Sequence, residues 1–188
     1  MAEANLDIIN RALDFIGQQP LVSLDESGPV AARVQRMWPQ ARDAVLREHN
    51  WKCAIRRTGL NRLKDPPLFG FSARFQLPPD FLRLVATNPE GARVEVEGAS
   101  LLADCGKLSV AYVARLDDPR LYDAALAEAL SLKLAAELAF GSSASTSLAQ
   151  QMEVRYQQKL RDARSYDSRE GAGERWQLGS WARARLGF

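Results

Sequence analysis

The chain has 188 residues, of which 46% are hydrophobic and 26% charged, and its net charge is +2, a composition typical of one globular domain. No stretch approaches the roughly 20 apolar residues that a membrane-spanning helix needs, and the N-terminus lacks the pattern of a secretory signal. We therefore expect no membrane partner, synthesis in a cytoplasm, and reduced Cys53 and Cys105 packed as small apolar side chains.

Charge is unevenly distributed along the chain. Residues 1–30 carry one basic side chain against five acidic ones, residues 31–64 carry nine against two, and residues 80–137 carry six against ten. This asymmetry suits nucleic acid on the basic part, or a head-to-tail contact between unlike surfaces of identical subunits. It is equally compatible with solvated faces that balance within one fold.

Apolar residues at helical spacing predict a first helix over residues 4–16. Gly17 follows it as the expected C-terminal cap residue, and Pro20 lies shortly beyond. Ser27 is the predicted N-cap of a second helix, which has an apolar face and ends near Trp51. The helix carries four arginines, which we place mainly on the face opposite the apolar one: Arg33, Arg36, Arg42 and Arg47.

Pro39 lies inside the apolar pattern of the second helix. Proline removes one backbone donor and clashes with the preceding turn, so we expect the helix to kink or to split near residues 35–38.

The period changes between Trp51 and Leu116, where short alternating stretches are separated by turn residues. This pattern predicts a small antiparallel sheet inserted between helices. The predicted strands cover residues 51–60, 72–76, 82–87, 93–97, 100–103 and 107–114.

An Ala- and Leu-rich third helix is predicted from Asp118-Pro119 to Phe140, and its apolar circumference indicates a central position. Ser145 or Thr146 is expected to cap a fourth helix that ends near Asp167. A glycine-rich hinge then leads to a tail with aromatic and basic residues. We expect this tail either to order on a partner or to pack on its own domain.

No pattern of catalytic or metal-binding residues is found. His49, the one histidine, is expected to interact with a helix dipole or to lie on the surface, and Asp80 is expected to be a cap or turn residue. Two carboxylates would suffice for a glycosidase, but so many acidic residues make that condition uninformative. The basic run Lys52–Lys64 could contact phosphates or line one face of the sheet, and no specific DNA-binding motif accompanies it.

Several motifs together resemble one family. They are Asn10-x-x-Leu13-x-x-Ile16-Gly17-x-x-Pro20, then Val22-Ser23-Leu24-Asp25, a helix ending Arg47-Glu48-His49-Asn50-Trp51, and the turn Phe75-Gln76-Leu77-Pro78-Pro79-Asp80-Phe81. This combination, over nearly the whole chain, resembles the tail tubular protein A family, the head-to-tail adaptor (connector) proteins of short-tailed phages. Pro39 has no counterpart in the family pattern.

The resemblance implies a structural virion protein at the head-tail junction, without a cofactor. Such adaptors form a ring, usually of twelve copies, beneath the portal protein, where they extend the channel for double-stranded DNA and dock the tail nozzle or next tail protein. It also implies that the C-terminal segment reaches onto the portal. The alternatives are a cell-wall or polysaccharide hydrolase, an activity attributed to some relatives, and a non-specific DNA-binding module.

The predicted fold is α+β and mainly α, an antiparallel helical bundle with a small inserted antiparallel β-domain and an extended C-terminal tail. Residues 1–50 and 117–168 would form the bundle, 51–116 the β-domain, and 169–188 a tail for partner docking. Portal-binding candidates in the tail are Arg175, Trp176, Leu178, Trp181, Arg183, Arg185, Leu186 and Phe188. Candidates for the subunit interface or the channel are Arg33, Arg36, Arg42, Arg47, Arg56 and Arg57.

Overall fold

The computed structural model describes residues 2–140 and 146–171. Within these ranges the α-helices are α1 (Ala2–Phe15), α2 (Pro29–Arg47), α3 (Ala124–Phe140) and α4 (Thr146–Gly171). The strands are β1 (Ile55–Gly59), β2 (Ala73–Gln76), β3 (Phe81–Asn88), β4 (Val94–Glu97), β5 (Ser100–Ala103) and β6 (Ser109–Ala114). The predicted α+β class is confirmed.

Helix α3 is central, as its composition predicts. It packs against α1, α2 and α4, and its leucines and alanines are buried on several sides. Burying a polar group costs free energy unless it is hydrogen-bonded. Ser131, fully buried in this helix, meets the condition because its Oγ donates to the Ile8 carbonyl at 3.0 Å.

The strands form two antiparallel sheets rather than the one sheet predicted, with strand orders β1-β6-β3 and β2-β5-β4. The sheets share an apolar cluster to which the second contributes Phe75 and Leu101 and the first Val110 and Tyr112. Alternate residues of the first sheet, such as Val113, join the core of the helices instead. The first sheet therefore lies between the helices and the second sheet.

The predicted strand 51–60 is wrong in its first half. Lys52–Ala54 form one turn of 3-10 helix, and only Ile55–Gly59 pair with β6. Trp51 explains the difference, because it is fully buried and its Nε1 donates to the Val45 carbonyl at 3.0 Å. The chain has to turn at this point to insert the indole beneath the end of α2.

Helix α2 departs from prediction at its start, and one of the two outcomes expected at Pro39 is excluded. Its N-cap is Gly28, not Ser27, and no side-chain hydrogen bond caps it. The helix does not split, since it continues through Pro39 to Arg47. Buried side chains on both sides of the proline, including Val34 and Val45, hold the segment in one helix.

The third helix begins later than expected. Pro119–Leu121 form a separate 3-10 turn, and Asp118 is its N-cap. The Asp118 carboxylate accepts hydrogen bonds from the side chain and the backbone N–H of Arg120. These bonds lower the pKa of Asp118 to about 2. Helix α3 starts after Asp123, whose Oδ1 accepts from the N–H groups of Ala125 and Leu126 at 2.8 and 2.9 Å. A second N-cap therefore divides the segment.

The fourth helix is longer than expected, because α4 continues to Gly171. The helix therefore extends three residues into the segment 169–188 that was assigned to the tail. Ser145, one of the two expected caps, lies outside the described residues.

Candidate assembly surfaces

The connection between α1 and α2 is built by the residues of the Asn10–Pro20 motif. The Asn10 amide holds the loop from both sides, since its Nδ2 donates to the Leu21 carbonyl at 2.9 Å and its Oδ1 accepts from the Leu21 N–H at 2.8 Å. Gly17 has φ of 67°, and the Gln18 N–H returns to the Leu13 carbonyl at 3.0 Å. This is a Schellman cap, which confirms the predicted role of Gly17.

Three of the candidate arginines of α2 bind within the chain. Arg42 is only 8% exposed and pairs with Asp43 at 2.8 Å and with Asp117, so its placement on the solvent face is wrong. Arg33 donates to the Leu138 carbonyl at 2.5 Å. Arg47 donates to the Leu82 carbonyl, which ties the end of α2 to β3.

The other three candidates are exposed. Arg36 lies on α2, and Arg56 and Arg57 lie on β1. Arg56 pairs with Asp80 at 2.5 Å, and Asp80 also accepts from the Tyr112 hydroxyl at 3.0 Å. Among the side chains that the structure describes, Arg36 and Arg57 have no ion-pair partner. The six arginines therefore do not form one basic surface.

The candidate residues of the tail, from Arg175 to Phe188, lie outside the described ranges. Their proposed contact with a portal protein stays a prediction.

The structure joins the ends of α2 and α4 through a buried carboxylate that the sequence interpretation missed. Asp167 is 4% exposed and accepts from the Lys52 N–H at 2.7 Å. It also lies 3.0 Å from Nε2 of His49, whose ring meets Trp51 edge-on. The expectation of a dipole contact or a plain surface position for His49 omitted this partner. A signal was present, because Asp167 continues the helical spacing of the apolar residues Leu160 and Ala163.

A second contact of the same helices involves Tyr156 and Arg164, which lie about three turns and one turn before Asp167. The Tyr156 hydroxyl donates to Glu48 at 2.7 Å, and Arg164 pairs with the same carboxylate at 2.8 Å. Burial and the bond to Glu48 raise the pKa of Tyr156 above its ordinary value. The end of α4 is therefore fixed to α2 close to the point where the chain continues toward the tail.

The loop between β1 and β2 presents an apolar tip. Leu68 is fully exposed and Phe69 is 87% exposed. The base of the loop is held, because Arg93 lies 4.4 Å from the centre of the Phe71 ring and 3.7 Å from Asp104. Large exposed apolar side chains on a fixed loop are typical of a surface that meets another protein. The sequence interpretation assigned no role to Leu68 or Phe69.

The described residues hold no cluster of three or more side chains that could bind a metal ion. Among the helices of residues 2–140 and 146–171, none combines the length and apolar content needed to cross a bilayer. Comparison of the chain with protein-family models and with curated proteins gave no match to either.

Proposed function

We propose that this protein is a structural virion protein, a head-to-tail adaptor of a short-tailed phage. It forms a ring beneath the portal protein, extends the DNA channel and docks the tail nozzle or next tail protein. The observation that carries the proposal is the adaptor-like motif from Asn10 to Trp51.

The roles of the motif residues support a scaffold. Asn10 holds Leu21, Gly17 closes the Schellman cap, and Trp51 is buried beneath the end of α2. Each residue shapes the chain, and none is arranged to act on a substrate. A motif with this content suits a protein whose task is to position surfaces, and the proposal assigns no reaction and no cofactor.

The proposed architecture has a helical bundle made by residues 1–50 and 117–168, with residues 51–116 inserted as a β-domain. The contacts of α3 with the three other helices and the position of all described strands between Ile55 and Ala114 support this division. The bundle would form the body of each ring subunit. The tail, residues 169–188 on this division, would reach the portal.

Surface features support assembly with proteins and loose contact with DNA. The tip Leu68-Phe69 offers apolar area for a protein partner. Arg36 and Arg57 are exposed and could contact phosphates without reading sequence, which suits double-stranded DNA sliding through a channel. No observation favours the hydrolase or a free DNA-binding module.

The test is direct binding to a portal. The full-length protein would be mixed with purified portal rings encoded by the same genome and imaged by negative-stain electron microscopy. We expect an additional ring of density on one face of the portal. A chain with a native circular dichroism spectrum that leaves the portal rings bare at high excess would contradict the proposal.

A further inference from the structure

The strand order leaves four outer sheet edges, and they differ in how well they are protected. The edge of β2 is covered, because Leu63 donates to the Arg74 carbonyl at 2.8 Å and Gln76 to the Asn61 carbonyl at 2.9 Å. The edge strand β3 is irregular, with two register shifts against β6. Bulges of this kind discourage pairing. The regular edges are those of β1 and β4.

The outward groups of β1 follow from its pairing with β6. Leu60 donates to the Leu108 carbonyl at 2.8 Å, and inward-facing backbone groups alternate with outward-facing ones along an antiparallel strand. The N–H and C=O groups of Ile55, Arg57 and Gly59 therefore point away from the sheet. Within residues 2–140 and 146–171, no strand pairs with them.

The same argument applies to β4. The two-residue turn Gly98-Ala99 joins it to β5, and Glu97 and Ser100 close the hairpin. The closing pair of such a hairpin exchanges hydrogen bonds, so Glu95 and Glu97 direct their backbone groups to β5. Val94 and Val96 direct theirs outward, and the Val96 side chain is 47% exposed.

The two open edges carry opposite charge. Strand β1 contains Arg56 and Arg57, whereas β4 contains Glu95 and Glu97, and all four side chains are exposed. If β1 paired with itself about Arg57, two arginines would lie opposite each other. If β4 paired with itself about Val96, each glutamate would lie opposite another. Like charges directly opposite destabilise a sheet, so the charges favour pairing of β1 with β4.

We propose that β1 of one copy pairs antiparallel with β4 of the next copy, so that a continuous sheet crosses each subunit boundary. This inference deepens the proposed ring and depends on the proposed function only for the setting in which the ring forms. Because the two surfaces are unlike, the contact is heterologous and repeats from copy to copy until a ring closes. Backbone hydrogen bonds between the two strands would hold neighbouring copies together. The opposite charges would determine that β1 pairs with β4 rather than with a second β1.

Two registers place both Val94 and Val96 opposite outward-facing residues of β1. With Val96 opposite Arg57, Arg56 lies opposite Glu97; with Val96 opposite Ile55, it lies opposite Glu95. Arg56 can accept this second partner while it holds Asp80, because a guanidinium has several donors and the side chain is 54% exposed.

Proline substitutions at outward-facing positions test the pairing. Arg57→Pro and Val96→Pro each remove an outward N–H and keep the bonds to β6 and β5. We expect the full-length wild-type protein to associate in a salt-sensitive way in analytical ultracentrifugation, and each variant alone to be monomeric. A mixture of the two variants retains one intact β1 and one intact β4 edge, so it should give 1:1 dimers and nothing larger.

A cysteine experiment keeps the test valid if a proline variant fails to fold. Chains with Val96→Cys would be mixed with chains with Arg57→Cys or Ile55→Cys and oxidised, both free and on portal rings. One mixture should form a disulfide between copies, because paired residues have Cα atoms about 5.5 Å apart, which suits a disulfide. Gln40→Cys, exposed on α2 and outside both sheets, is the matched control.

Failure of the inference is separable from failure of the proposed function. The pairing is overturned if neither mixture links in either setting, or if a folded proline variant assembles like the wild type. In that case binding to the portal can still occur and support the adaptor. If instead the strands link and the portal stays bare, the pairing stands and the adaptor role fails.

Discussion

At the scale of single residues, Asn10 shows how one side chain can fix a connection. Its amide supplies both a donor and an acceptor to the backbone of Leu21, so no other residue type of similar size can replace it. Aspartate keeps the acceptor but sets a carboxylate against the Leu21 carbonyl. Alanine leaves both backbone groups of Leu21 without their partner.

We predict that Asn10→Ala lowers the free energy of unfolding by about 1–3 kcal/mol, the cost of leaving partly buried groups unsatisfied. Asn10→Asp should fall between the wild type and alanine, and should weaken as the carboxylate ionises. Asp14→Ala, exposed on the same helix, is the control. Urea unfolding followed by circular dichroism measures the stability of all three variants. Equal stability of the Asn10→Ala and control proteins would show that the two bonds from Asn10 to Leu21 do not stabilise the fold.

Tyrosine ionisation gives a pH prediction. Burial raises the pKa of Tyr122 and Tyr156, and burial together with Asp80 raises that of Tyr112. Above pH about 10 the unfolded chain loses tyrosine protons that the folded chain retains, so stability should fall as pH rises beyond that point. Below pH 10 both states are protonated, and these groups contribute no pH dependence.

The variant Tyr156→Phe separates the contribution of the hydrogen bond to Glu48 from the contribution of tyrosine ionisation. At neutral pH we expect a loss of about 1–2 kcal/mol, because the bond from the hydroxyl to Glu48 is removed. Above pH 10 the variant should lose stability less steeply than the wild type. Tyr166→Phe, half exposed on the same helix, should match the wild type throughout. Parallel slopes for wild type and Tyr156→Phe in thermal unfolding from pH 8 to 11 would contradict the assignment.

At the scale of elements, sequence patterns correctly predicted the structural features that depend only on residues close together in the chain. The period of α1, the cap at Gly17 and the apolar circumference of α3 are local properties, and the structure confirms them. Of the two outcomes expected at Pro39, a kink or a split, the split is wrong, and the start of α3 was predicted too early. At both places the sequence contains competing local signals, and tertiary packing decides between them.

Helix α2 tolerates Pro39 at a cost that a substitution can recover. A proline inside a helix costs about 3 kcal/mol, part of which it returns by restricting the unfolded chain. We predict that Pro39→Ala raises the free energy of unfolding by about 1–3 kcal/mol, since the exposed alanine fits the helix and restores an N–H donor. Gln40→Ala, the exposed neighbour, should change little. A loss of stability on replacing Pro39 would mean that α2 requires the proline geometry.

At the scale of the whole molecule, the sequence shows which segments are basic or acidic. It does not show which of these charged side chains pair within the fold. Arg42 was placed on a basic surface, but the fold buries it beside Asp43 and Asp117, and Asp117 lies close to it only in three dimensions. Asp167 likewise looked like an ordinary polar residue of a helix end, because its partner, the Lys52 N–H, is distant in sequence. Long-range pairs of this kind decide which charges remain for partners, and no local period encodes them.

The tail prediction belongs to the same scale. The bonds of Asp167 and the Glu48 contacts fix α4 to α2 before the chain reaches Gly171. The described core therefore has its own anchors at the end of α4. We predict that a chain ending after Gly173 unfolds at the same temperature as the full-length protein, within about 2 °C, and no longer binds portal rings. Sedimentation with the portal and a thermal melt measure the two properties.

A full-length chain with Trp176→Ala and Trp181→Ala separates loss of aromatic contacts from loss of length. If the aromatic residues bind the portal, this variant should bind as weakly as the truncated chain and melt like the wild type, because large apolar anchors supply most of the energy at protein interfaces. Arg175→Gln with Arg183→Gln tests the charged residues in the same way and should weaken binding mainly at low salt. A truncated chain that melts well below the wild type would show that the tail packs on its own domain, and the portal contact would then need another surface.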